Sequence, residues 1–77
     1  MLRWTYDSEA DAAYFYISDK PYHHGEELDD LRRVDYAEDG TPIGVEILGV
    51  RAVGVNLAGL PEAEQIKGLL TKPLVAA

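Results

Sequence analysis

Residues 12–18, Ala-Ala-Tyr-Phe-Tyr-Ile-Ser, are apolar on both faces of an extended chain. Successive side chains of a strand point to opposite sides. Ala13, Phe15 and Ile17 therefore share one face, and Tyr14 and Tyr16 the other. A strand of this kind lies centrally in a sheet or is covered on both sides. The means of covering it are narrow. The chain has 77 residues, which allows one domain over 1–77. A chain of that size buries only roughly 60% of the surface its unfolded form exposes. Small domains usually add a disulfide, a metal or a partner subunit. With no cysteine, disulfides and thiolate-bound zinc are excluded. A tight core, oligomerisation or a ligand remains. The 47% hydrophobic content suits a folded globule and is too high for disorder.

The remaining elements follow from periodicity. Leu2, Trp4 and Tyr6 alternate with Arg3 and Thr5, the period of a strand. A polar turn, 7–11, leads to the aromatic strand. A four-residue loop pairs Trp4 with Phe15 and a five-residue loop pairs Trp4 with Tyr14. The first is favoured, because it puts Trp4, Tyr6, Ala13, Phe15 and Ile17 on one face. Residues 19–30 read as a polar connection. Strands follow at 31–36 and 43–50, with the hairpin signal Asp39-Gly40 between them. A two-residue loop there pairs Val34 with Val45, Tyr36 with Ile43 and Arg33 with Glu46. Residues 53–57 read as a short fifth strand or an extended crossing. Pro61 suits a helix's first turn, Ala63, Ile66, Leu69 and Leu70 recur on one face, and Pro73 stops the helix. The expected fold is α+β: an antiparallel four- or five-stranded meander packed by one C-terminal helix at about 61–71.

The net charge is −7, and all of the excess lies in residues 1–40, which hold 11 acidic and 4 basic side chains. That field repels a phosphate backbone and an anionic membrane, so neither nucleic acid nor membrane is an expected partner. It attracts basic proteins and cations. The first twelve residues contain Asp7, Glu9 and Asp11, unlike a secretory signal, and no apolar run approaches the ~20 residues of a membrane helix. The expected location is the cytoplasm.

Three groups of residues could carry function. His23, His24 and Glu26 offer imidazoles and a carboxylate to a divalent metal, although adjacent residues of an extended chain point apart. A solvated loop is the competing reading. Among the acids, Asp7 and Asp11 read as organisers of the first turn, and Glu46 has Arg33 as a partner. No serine or cysteine stands beside a histidine as a nucleophile would, and no glycine pattern cradles phosphate. Third, Trp4, Tyr14 and Tyr16 are interface candidates, since one helix cannot cover both sides of the second strand.

The run Tyr6-Asp7-x-Glu9-x-Asp11-Ala12-x-Tyr14 resembles the opening signature of a family of small bacterial proteins, domain of unknown function 2283. The resemblance continues through Val34-Asp35-Tyr36-Ala37-Glu38-Asp39-Gly40, through Gly44-Val45-Glu46-Ile47-Leu48, and through Gly54-Val55-Asn56-Leu57-x-Gly59-Leu60-Pro61. Asn56 departs from an Asp common at that position. The resemblance implies a sheet-plus-helix fold, with Tyr6, Asp7, Asp11, Gly40, Gly44 and Glu46 as structural motif positions. It brings no catalytic residue and no cofactor. Some members sit beside small toxin-like proteins, an antitoxin-like arrangement, but this chain lacks the basic DNA-binding module that many antitoxins carry. The expected function is a non-enzymatic module that binds a small basic partner or self-associates, with a dimer favoured. The alternative is a small metal-binding protein or enzyme using His23, His24 and Glu26.

Overall fold

The structure, a computed structural model, describes residues 2–71. Five strands, β1 (Arg3–Asp7), β2 (Ala12–Tyr16), β3 (His24–Asp29), β4 (Arg32–Tyr36) and β5 (Pro42–Leu48), precede one helix, α1 (Ala63–Thr71). They form one antiparallel sheet in the order β1-β2-β5-β4-β3. A hairpin, β1–β2, thus joins a three-stranded meander, β3–β4–β5, through the pairing of β2 with β5. The aromatic strand lies inside the sheet, as its two apolar faces require.

The first hairpin has the favoured register: Trp4 pairs with Phe15 and Tyr6 with Ala13, around a four-residue loop. Trp4 stacks on Phe15 with ring centroids 5.4 Å apart. Phe15 is fully buried, in a core with Ala13, Val34, Val45, Ile47, Leu60 and Ile66. Trp4, Tyr6, Ile17, Tyr36, Ala63, Leu69 and Leu70 pack around that core. The face of α1 that the apolar spacing marks out is the face that closes it.

Four local expectations are corrected. The polar connection 19–30 contains β3, whose last five residues are all exposed. A strand that buries no apolar face leaves no alternation to read; backbone pairing with β4 makes it a strand. Second, of the two readings of 53–57 the strand is overturned and the crossing holds. The chain turns tightly after β5, with the Val53 amide donating to the Gly49 carbonyl at 2.8 Å, and Val55 and Leu57 then reach the core from an irregular crossing. Third, the helix begins at Ala63, and Pro61 lies in the turn before it. Glu62 holds a φ of 56°, so no helix can run through it. The proposed stop at Pro73 lies outside the described residues.

Fourth, the β4–β5 loop has three residues rather than two. The Ala37 amide donates to the Thr41 carbonyl at 2.9 Å and the Gly40 amide to the Ala37 carbonyl at 3.0 Å. Gly40 has a φ of 87°, the left-handed position that ends such a loop and that glycine takes without a Cβ penalty. Tyr36 therefore pairs with Pro42 rather than Ile43. A bulge at Ile43 restores the expected register, pairing Asp35 with Gly44, Val34 with Val45 and Arg33 with Glu46.

Two side chains tie loops to the sheet. Asp11, in a left-handed conformation that Asp tolerates, accepts hydrogen bonds from the Tyr6 hydroxyl at 2.7 Å and the amides of Arg51 and Ala52 at 2.9 and 3.1 Å. These bonds, the Tyr6 hydroxyl first, hold its carboxyl below the ordinary range. Arg32 donates to the Asn56 and Ala58 carbonyls at 3.1 and 2.6 Å and to Asp29, fixing the crossing to the β3–β4 turn. No helix of the described residues is long and apolar enough to cross a membrane.

Candidate functional site

The helix covers one face of the sheet. The other face presents Arg3, Tyr16, Tyr14, Glu46, Asp35, Arg33 and Glu27, brought side by side by registers that pair Arg3 with Tyr16, Tyr14 with Glu46, and Arg33 with both Glu46 and Glu27. Tyr14 and Tyr16 meet edge to face with centroids 4.7 Å apart. The Arg3 guanidinium lies over the Tyr16 ring, 3.9 Å from its centroid. That is cation–π distance.

Tyr14 does not stand upright. It lies across Gly44, where an added Cβ would overlap the phenol. The glycine thus lets the Tyr14 hydroxyl reach Asp35 on the next strand, to which it donates at 2.7 Å. Asp35 is 5% exposed, the buried polar residue of the sheet. Its other oxygen rests against Gly25 and faces the Arg33 Nε at 3.2 Å, an ion pair without hydrogen-bond alignment. Burial first, then donation to Asp35, pushes the Tyr14 phenol well above its ordinary pKa. A phenol so held is a fixed donor and a poor base or nucleophile at neutral pH. The network fixes the shape of this face.

The interface candidates separate. Tyr14 and Tyr16 lie half-buried on the helix-free face, whereas Trp4 lies on the helix side against Phe15. Arg33 stands opposite Glu46, as the register predicts, but its ion pair is with Asp35, two residues along the same strand and on the same face. Among the motif positions, Tyr6 and Asp11 form the clamp described above. Asp7 accepts the amides of Glu9 and Ala10 at 2.9 and 3.3 Å, closing the first turn. Gly40 and Gly44 serve the β4–β5 loop and the Tyr14 phenol.

His23 and His24 meet through their Nδ1 atoms at 2.9 Å, and the His24 ring stacks on Tyr36. The His24 Nε2 lies 3.4 Å from Glu26. Among the described residues, no group of three or more His, Cys, Asp or Glu side chains is arranged to hold a metal ion. Beside them, Lys20 to His23 and Ala37 to Asp39 frame an open groove of about 540 Å³, with Tyr22 60% exposed on its wall.

The sheet's rim is strongly acidic on one side. β3 is an outer strand, and Glu26, Glu27 and Asp29 are exposed along it, with Asp30 in the turn that follows. Asp29 is occupied: Arg32, first, and the Leu31 amide hold its carboxyl below the ordinary range. This rim leaves no trace in the sequence, because β3 buries no apolar face that alternation could reveal. The Tyr14–Asp35 bond had one signal in the sequence: the expected register sets Asp35 across from Gly44, and a glycine leaves room for a neighbouring phenol.

A family model described as "Protein of unknown function (DUF2283)" matches residues 3–51, from the first strand to just beyond the last. The match stops short of Gly54–Pro61 and the helix. No curated protein and no solved structure matches the chain.

Proposed function

We propose that this chain, which belongs to the DUF2283 family, is a non-enzymatic binding module that takes a small basic protein along its acidic outer strand, in the manner of an antitoxin. The observation that carries this reading is β3. It is an edge strand, exposed from Gly25 to Asp29, with Glu26 and Glu27 unpaired with any lysine or arginine in the ion pairs of the described residues. An open edge offers main-chain hydrogen bonds to an extended segment. Its side chains select the charge of that segment, and the acidic field of residues 1–40 steers it in. The fixed polar network on the helix-free face supports a preformed surface rather than a reacting one. The same reading puts the module in a bacterial cytoplasm.

A native pull-down from the source cell tests it, with stoichiometry read by mass spectrometry and repeated at high salt. The wild type is expected to recover a basic protein at near one-to-one, weakened by salt. The Glu26→Lys/Glu27→Lys variant is expected to lose it. Asp29 is left in place, because it holds the turn. A basic protein retained equally by that variant, or the bait recovered alone, would overturn the reading.

A further inference from the structure

The sheet has a second outer strand, β1, and its chemistry is different. Among the described residues, β1 has a strand partner on one side only. Arg3, Thr5 and Asp7 point to one face and are exposed; Trp4 and Tyr6 point to the other and are half-buried. The strand carries one positive and one negative side chain, at its two ends.

We infer that two copies of the chain pair antiparallel through β1, about a two-fold axis at Thr5, so that two five-stranded sheets become one. Paired residues must share a face, so their numbers sum to an even value. A sum of ten is the register that uses all five residues of β1. It sets Arg3 opposite Asp7 of the second copy, Thr5 opposite Thr5, and Trp4 opposite Tyr6. The two-fold axis makes each of the unlike pairs twice. Both opposite-charge and aromatic cross-strand pairs are favourable. The Arg3 guanidinium already lies over Tyr16, on the face where Asp7 of the second copy would stand. Trp4 and Tyr6 retain exposed surface for the second pair to cover. The opposite edge refuses the same operation: pairing β3 with itself about Glu26 or Glu27 sets acid against acid. The two edges thus sort their partners, a second copy at β1 and a basic chain at β3. The β1 pairing does not depend on the reading of β3.

The chain has no cysteine, which allows a direct test by oxidative cross-linking of single-cysteine variants of the full chain. Thr5→Cys is expected to give a covalent dimer, since directly opposite Cα atoms stand about 4.5–5.5 Å apart. Arg3→Cys alone is expected to give no covalent dimer, because the two-fold axis holds its copies more than a disulfide's span apart. Arg3→Cys mixed with Asp7→Cys is expected to cross-link. In parallel, sedimentation of the cysteine-free chain is expected to show a dimer whose dissociation constant rises roughly tenfold in Arg3→Asp, with circular dichroism showing the fold kept. A chain monomeric at all concentrations, or equal cross-linking by Thr5→Cys and Arg3→Cys alone, would overturn the pairing.

Discussion

The β1–β2 hairpin and the β3–β4 hairpin close the two ends of one sheet by different means. In the first, Trp4 stacks on a fully buried Phe15, and Tyr6 and Ile17 pack beside them. In the second, β4 contributes Val34 to the core, but β3 exposes all of its residues after His24. Its turn is polar: Asp29 accepts from the Leu31 amide at 3.0 Å and from Arg32. One end is held by burial, whose contribution scales with apolar area. The other is held by backbone pairing and ion pairs, whose net contribution is small because water competes for the same groups. An outer strand that adds little stability is free to carry a charge pattern chosen for a partner. That is the physical ground for proposing a basic partner at β3.

The largest expected effect tests the buried end. Phe15→Ala should cost about 3–5 kcal/mol in urea denaturation, whereas Glu27→Ala on β3 should stay within about 0.5 kcal/mol. Comparable losses would erase the contrast. Next comes the network between the ends. Tyr14→Phe leaves a buried Asp35 oxygen without its donor and should cost about 1–3 kcal/mol. Gly44→Ala, which drives the phenol off Asp35, should cost a similar amount, and the double variant should be less than additive. A smaller gain is expected in the helix. A Cβ at Gly68 meets nothing within 4 Å, so Gly68→Ala should stabilise by about 1 kcal/mol in thermal melts.

The smallest effect is the acid limb, to which both ends contribute. Asp11 and Asp29 have carboxyls held below the ordinary range, and Lys20, first, with Thr41 does the same to Asp39. Below the unfolded carboxylate pKa of ~3.9 the unfolded chain therefore binds more protons than the folded one. Stability from these groups is complete above that value and is lost as pH falls through the lowered folded values. Denaturation midpoints measured from pH 7 downward should be flat above about pH 5 and then decline. Asp11→Asn should flatten the decline without moving β3. A stability that rises on acidification would contradict the assignment.

Much of this was legible in the residues. The alternation of Trp4 and Tyr6, the double-sided apolarity of β2 and the three-and-four spacing of Ala63, Ile66, Leu69 and Leu70 each report a buried face, and burial leaves a periodic trace. Parity with a loop length set the Trp4–Phe15 and Val34–Val45 registers, the second through a two-residue loop that the structure replaces by a three-residue loop and a compensating bulge. The organising role of Asp7 and Asp11 was visible too, since Asp bonds local amides. The reach of Asp11 to Arg51 and Ala52, forty residues away, was not. Pro61 and the Asp39-Gly40 pair misled by a residue or two, because each punctuates the chain without fixing which neighbour turns.

By itself, then, the sequence determined the antiparallel sheet, its helix, the core face of Trp4, Tyr6, Ala13, Phe15, Val34, Val45 and Ile47 and the acidity of the first half, because local spacing and composition act through the chain itself. Only the tertiary structure decided that β3 exists, that β5 rather than β3 lies beside β2, and that Tyr14 bends over Gly44 to Asp35. The first two depend on backbone groups meeting across long separations, and a backbone hydrogen bond carries no side-chain signature; the third joins side chains 21 residues apart, across a strand that only the sheet order places between them.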